Sequence, residues 1–320
     1  MGKVKTKAKK KEKVAEKGAD ERADVQIPES VEAVPEDAEE FTEKYVGENI
    51  EDQPTYLPKE ELVQGEVLAE VEDETFWKAL IPAETFGGEP VVIANNGEFT
   101  VLTIDEGKVV GAVVKGYGKG HGSAKVGISK EIVGRAVRCR VRKLCIKDNG
   151  RVQMDGSILV NKEKSVDVRI ATQCLPETDS YAERLEEIIN GISKDAKYVF
   201  NVEVSALSKV VKELLRGCKA RGFLGHFQRA ELFLVNVGGR LAVYGETVNE
   251  LFVAPVCSTA YDDVVLGSFD TEYFDRVLNV FKKYNVEKVE MRLQQGAPVV
   301  FRARVDASLE VVMVIAPNYS

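Results

Sequence analysis

The sequence predicts an α+β fold made from one unit used four times: a strand, a helix and about three further strands. Two units per domain give two similar domains of antiparallel sheet, with the helices together on one face of the sheets. Three observations predict this. Alternating apolar segments recur between the turn signals Asn96-Gly97, Asp105-Glu106-Gly107, Asp148-Asn149-Gly150 and Gly238-Gly239. An amphipathic segment follows the opening strand of each unit. The chain of 320 residues, 44% of them hydrophobic, can build the core this requires.

The first unit opens with a strand at 65–71. Asp73 is placed to cap a short helix carrying Phe76, Trp77 and Leu80. Strands at 90–94, 98–104 and 109–114 follow. The second unit has a strand at 125–128 and a helix capped by Ser129, with Ile132, Val133, Ala136 and Val137 as its apolar stripe. Its strands are expected at 144–146, 151–154, 157–160 and 166–170. Residues 172–196 read as a connector, with Tyr181, Leu185, Ile188 and Ile189 in helical spacing. The third unit has a strand at 198–204, a helix with Leu207, Val211, Leu215 and Cys218 on one face, and strands at 230–235, 240–244 and 250–254. In the fourth, a strand at 264–269 leads to a helix from Thr271 with Phe274, Leu278 and Phe281 inward, then strands at 286–293, 299–305 and 309–315. The expected division is a tail and linker at 1–65, domains at 66–171 and 197–320, and the connector between them.

Composition narrows the chemistry. The formal charge is -8, which disfavours coating nucleic acid with the whole surface but permits a locally basic face. Without an apolar run of 18 residues, no helical membrane span is predicted, and an intracellular protein is expected, cytoplasmic and nucleoid-associated in a prokaryote or archaeon. Cys139, Cys145, Cys174, Cys218 and Cys257 form no CxxC pair, so neither a disulfide framework nor a closed zinc site is indicated. The only histidines are His121 and His226. Gly116-Tyr-Gly-Lys-Gly-His-Gly122 lacks phosphate-loop spacing and reads as a flexible hairpin or crossover. The lysine-rich start, Lys3 to Lys11, is a solubilising tail or a weak nucleic-acid tether, and disorder is expected across 1–50.

The helices share a basic stripe. Arg135, Arg138 and Arg142 recur three and four apart, as do Lys209, Lys212 and Arg216, with Lys219 after them; the fourth helix has Arg276, Lys282 and Lys283, the first only Lys78. An ordinary solvated face accounts for such a stripe. So does a surface that neutralises DNA phosphates without reading bases.

The C-terminal segments carry a resemblance. Ser268-Phe-Asp-Thr-Glu-Tyr-Phe274, Val289-Glu-Met-Arg-Leu293, Gly296-Ala-Pro-Val-Val-Phe301 and Leu309-Glu-Val-Val-Met-Val-Ile-Ala-Pro317 resemble the DNA sliding clamps of the proliferating-cell nuclear antigen family, of archaeal and eukaryotic kind, with Ala297 where a methionine is usual. The pattern extends more loosely over 66–317. The resemblance implies the DNA-clamp fold, chains associating head to tail as a homotrimeric ring, and double-stranded DNA passing through it without sequence preference. It implies DNA-facing residues Lys78, Arg135, Arg138, Arg142, Lys209, Lys212, Arg216, Lys219, Arg276 and Lys283. It further implies a pocket near the connector, Ala316, Pro317 and Tyr319 for short hydrophobic motifs of a polymerase, clamp loader and other partners, with no cofactor, metal or catalytic residue. Two other functions stay open: an interaction or scaffolding protein of the same fold without a ring, and a metal-dependent enzyme using Asp155, Asp167, Asp262 and Asp263.

Overall fold

The computed structural model describes residues 64–160, 164–175, 181–219, 230–246 and 251–318, without the side chains of 181–183 and 218–219. The first 63 residues of the expected tail, Tyr319, His226 and the side chains of Cys218 and Lys219 lie outside the described residues.

The unit recurs four times. The first is β1 (Val67–Glu72), α1 (Phe76–Ala79), α2 (Ile81–Phe86), β2 (Val91–Asn95), β3 (Glu98–Ile104) and β4 (Val110–Tyr117). The second is β5 (Lys119–Gly127), α3 (Lys130–Arg138), β6 (Lys143–Lys147), β7 (Arg151–Leu159) and β8 (Ser165–Gln173). After α4 (Tyr181–Asp195) come β9 (Tyr198–Glu203), α5 (Val204–Lys219), β10 (Glu231–Val237), β11 (Arg240–Glu246) and β12 (Leu251–Ser258). The last is β13 (Val264–Asp270), α6 (Thr271–Lys283), β14 (Lys288–Leu293), β15 (Val299–Arg304) and β16 (Leu309–Ile315). Ser129 and Asp270 cap α3 and α6; the Asp270 carboxylate accepts the Glu272 N–H at 2.8 Å.

The strands form a twelve-stranded sheet, β8-β7-β6-β1-β5-β2-β3-β4-β16-β15-β14-β9, and a four-stranded sheet, β12-β11-β10-β13. The antiparallel β4–β16 pair, Val114 opposite Val311 and Ala112 opposite Met313, joins the first unit to the fourth. Strand periodicity then sorts side chains to two sides. Leu309, Val311, Met313 and Ile315 enter the main core under α1, α2, α3, α5 and α6, with Phe269, Phe274, Phe281 and Phe301 fully buried there. The intervening Val312 and Val314, with Val113, Leu102 and Val300, pack on the other side against Leu185 and Ile189 of α4. The central strands are therefore apolar on both faces, and α4 is the one helix among the described residues on the side opposite the rest.

Two elements depart from expectation. The segment after β1 contains two short helices instead of one, meeting at Leu80, because Pro82 sits in the first turn of α2, where its missing N–H costs nothing. Residues 151–159 form one strand, not two: Gly156 leaves no room for a Cβ, which would stand 2.4 Å from the Cys139 carbonyl, so glycine here marks close packing and not a turn. Of the two readings of the glycine-rich 116–122 segment, hairpin or crossover, it is the crossover: β4 and β5 do not pair with each other. It ends β4 and begins β5, which pairs with β1 on one side and β2 on the other.

The two halves also differ. β1 pairs with β5, but their counterparts β9 and β13 do not pair. Tyr261 fills in: its hydroxyl accepts the Val199 N–H at 3.1 Å, and its ring meets Tyr198 and Phe200 edge-on.

Candidate nucleic-acid interface and the cavity on the opposite face

The helices opposite α4 form a row in which α3 packs on α2, α2 on α6 and α6 on α5. Each buries its apolar stripe, so the basic stripe of the sequence is turned away from the sheets. On α3, Val133 and Ala136 are buried while Arg135 and Arg138 are exposed. On α5, Leu207, Val211 and Leu214 are buried, Lys209 and Arg216 exposed and Lys212 half-buried. Arg276 is exposed on α6, its guanidinium 5.4 Å from the Tyr273 ring centre.

Other expected DNA-facing residues are engaged within the chain. Lys78 lies 3.3 Å from Asp306, and Lys283 lies 3.0 Å from Glu84. Arg142 lies past the end of α3, 3.6 Å from Glu74 and 3.9 Å from Asp167. Lys282, which the sequence resemblance left out of the set, donates to the Ser208 hydroxyl on α5. Burial and the neighbouring Lys212 ammonium hold the Lys282 amine below the usual lysine range, against an opposing pull from Asp275.

The opposite face carries a cavity of about 740 Å³ beside α4. Its apolar wall includes Val91, Leu102, Leu185, Ile188, Val314 and Pro298, and Glu89, Lys108, Lys130 and Arg184 also line it. Of the expected pocket residues, Ala316 lines this cavity; Pro317 is buried without lining it. The Ala316 N–H donates to the Val109 carbonyl at 2.8 Å, which fixes the tail beside β4.

The candidate metal carboxylates serve other ends. Asp155 accepts from Arg169 at 2.8 Å, and Asp167 faces Arg142. Asp263 accepts the Gly238 N–H at 2.8 Å, in the four-stranded sheet. Among the described residues, no group of three or more His, Cys, Asp or Glu could hold a metal ion. Burial, with Glu70 beside it, pushes the Cys145 thiol up to about 11, so it carries little thiolate at neutral pH.

No protein-family model matches the chain, and no curated protein matches it. Solved structures do. A protein assigned as a DNA polymerase III beta subunit from Eubacterium rectale ATCC 33656 superposes with a TM-score of 0.61 at 11% identity, over 83% of this chain and 68% of that one. Proliferating Cellular Nuclear Antigen from Entamoeba histolytica gives 0.56 at 9% identity, over 79% of this chain and 100% of that one. The likeness reaches both a bacterial and a eukaryotic protein, so it does not single out the archaeal and eukaryotic kind. At these identities it is a likeness of fold: the chain has the DNA-clamp fold, four strand–helix–strand–strand–strand units with antiparallel sheets backing one row of helices.

Proposed function

We propose that this chain is a sliding clamp, closing a ring of three copies around duplex DNA and tethering replication or repair proteins to it. The observation that carries the reading is the change of helix charge with the face of the sheet. On the shared face, α3, α5 and α6 hold more basic than acidic residues, although the chain as a whole is acidic. On the other face, α4 has Glu183, Glu186, Glu187 and Asp195 against Arg184 and Lys194. A solvated stripe does not require that segregation; a surface turned to phosphates does. Such contact carries no base preference, because lysine and arginine on phosphates carry no sequence information.

Ring closure is supported by the strand edges. Among the described residues β8 pairs only with β7, and β12 only with β11, so each leaves a row of backbone groups open at one end of its sheet. Exposed apolar side chains stand there: Val166 on β8, Ile158 beside it, and Leu251 and Val253 on β12. Unpaired apolar edges invite strand addition, and two different edges joining head to tail close into a ring. On this reading 66–171 and 197–320 are the two domains, joined by 172–196. The cavity beside α4 takes a short apolar motif of a polymerase, loader or other partner, and no catalytic group is needed. Asp155, Asp167 and Asp263, held in separate pairs, give the enzyme reading no support.

Retention on DNA of defined topology tests this. The chain is incubated with linear duplex, the ends are then blocked or left open, and salt is raised to screen simple ionic binding. The clamp reading expects protein retained on blocked duplex and lost from open duplex. Equal loss from both contradicts encirclement.

A further inference from the structure

Cations on the helix row are not equally available to an anion. In the middle of the row two of the cations are neutralised from within the chain, Lys78 by Asp306 and Lys283 by Glu84 of α2, which leaves Arg276, 5.4 Å from the Tyr273 ring centre, as the exposed cation there. α2 itself, Ile-Pro-Ala-Glu-Thr-Phe, has no basic residue. The two ends differ. Arg135 and Arg138 on α3 make no ion pair among the described residues, and neither do Lys209 and Lys212 on α5. Arg216 is paired only with Glu213 of its own helix, and its side chain is 73% exposed, so solvent screens that pair and a phosphate can displace it. At the α5–α6 crossing the Lys212 and Lys282 ammonium groups crowd each other beside Ser208, a repulsion that an anion placed there relieves.

The topology fixes where those ends lie. α3 packs against β7, next to the open edge of β8. α5 packs against β11 and β12, and β12 ends the four-stranded sheet at the side away from β13. When β8 of one copy pairs with β12 of the next, α3 of the first is brought beside α5 of the second.

We propose that duplex DNA is held at the junctions between copies, where Arg135 and Arg138 of one chain and Lys209 and Lys212 of the next form one phosphate-binding seat, while the α1–α2 stretch contributes little. This rests on the ring reading and adds to it a location: the duplex bears on the boundaries of the copies and not on their centres. Lys282 extends the seat on the α5 side.

The test measures affinity for a short duplex across a salt series, for the full chain and three double variants, with the solution mass of each sample. Arg135→Ala/Arg138→Ala and Lys209→Ala/Lys212→Ala are each expected to weaken binding by about tenfold or more and to flatten the salt slope by roughly two, the value for two lost phosphate contacts. Lys78→Ala/Lys283→Ala is expected to stay within about twofold, since those cations are already paired. A central loss as large as either end loss overturns the proposal, as does an effect under about twofold at both ends.

A second readout tests proximity. A chain with Arg135→Cys and Lys209→Cys, treated with a short thiol cross-linker, is expected to yield linked chains that neither single variant gives, and duplex is expected to suppress the linking. A three-chain mass without such linking leaves the ring standing and overturns the shared seat. A one-chain mass refutes the ring itself; DNA binding still lost through α3 and α5 then means two separate seats, which also overturns the junction.

Discussion

If the chain assembles as the proposed three-copy ring, a variant carrying Leu251→Asp and Val253→Asp is expected to lose that mass and run as a single folded chain. Both side chains lie on the outward row of β12 and are exposed, 61% and 52%. Neither belongs to the core that holds the fold. Substitution at exposed positions away from packing costs about 0.5 kcal/mol or less each, so the melting temperature should hardly move. Carboxylates on an edge strand, by contrast, oppose pairing with another strand and lose hydration if it forms. The predicted outcome is thus a separation of two properties, assembly lost and stability kept. The same variant should be released from end-blocked duplex, because an open chain cannot encircle. An unchanged three-copy mass would mean that β12 is not a joining edge.

Gly122→Ala is expected to have the largest effect on folding. The glycine has φ of +75°, and a Cβ there would stand 2.0 Å from the Leu68 carbonyl oxygen on β1. That oxygen belongs to backbone and cannot swing aside. β5 must separate from β1, and with it the pairing that unites the halves of the first sheet segment. A left-handed backbone with a side chain costs about 1–2 kcal/mol by itself, and the clash adds to it, so a loss of about 3 kcal/mol or more is expected. For a folded body of this size that is a fall of roughly 6–12 °C in melting temperature. Gly134→Ala is the internal contrast. Gly134 lies within α3 with nothing inside 4 Å of the added Cβ, so the same substitution should stabilise by about 0.5–1 kcal/mol. If Gly122→Ala melts like the unaltered chain, the tight crossing of β1 and β5 is wrong.

These two glycines also show what a sequence can and cannot disclose. Glycine in 116–122 looked like punctuation between elements, as it is at Gly238, with φ of +57° in the β10–β11 turn and nothing within 4 Å of an added Cβ. At Gly116, Gly120 and Gly122 it is a space left for a neighbour: the Phe99 ring, the Glu70 carbonyl and the Leu68 carbonyl respectively. Nothing local separates the two uses, because the neighbour comes from another strand. The same holds at Gly156, where a continuous strand reads as two.

The helices were legible because their stripes are local. Val133 and Ala136, or Phe274, Val277, Leu278 and Phe281, are buried by the periodicity that marks them as apolar. The basic residues on the reverse faces follow from the same periodicity. Their availability does not: the carboxylate that holds Lys78 is 228 residues away, and the one that holds Lys283 is 199 away. Lys282 was passed over for the opposite reason, since its neighbours Ser208 and Lys212 come from the preceding helix unit. The resemblance pointed to a pocket near the connector and Ala316, but the walls of the cavity beside α4 were out of reach, since they come from β2, β3, α4, β16 and Pro298. One signal for it was present. Val311-Val312-Met313-Val314-Ile315 is apolar at every position, which a strand needs only when both faces are covered. That run implies a second layer over the outer face, and the stripe of Leu185, Ile188 and Ile189 was the candidate to supply it.

The central claim is that this fold closes a ring through β8 and β12. The most direct measurement is the mass of the unaltered chain in solution, by size exclusion with light scattering in low and high salt. A mass of three 35.3 kDa chains that persists in high salt is the predicted result, since strand pairing and apolar contact outlast screening. A single-chain mass in every condition contradicts it.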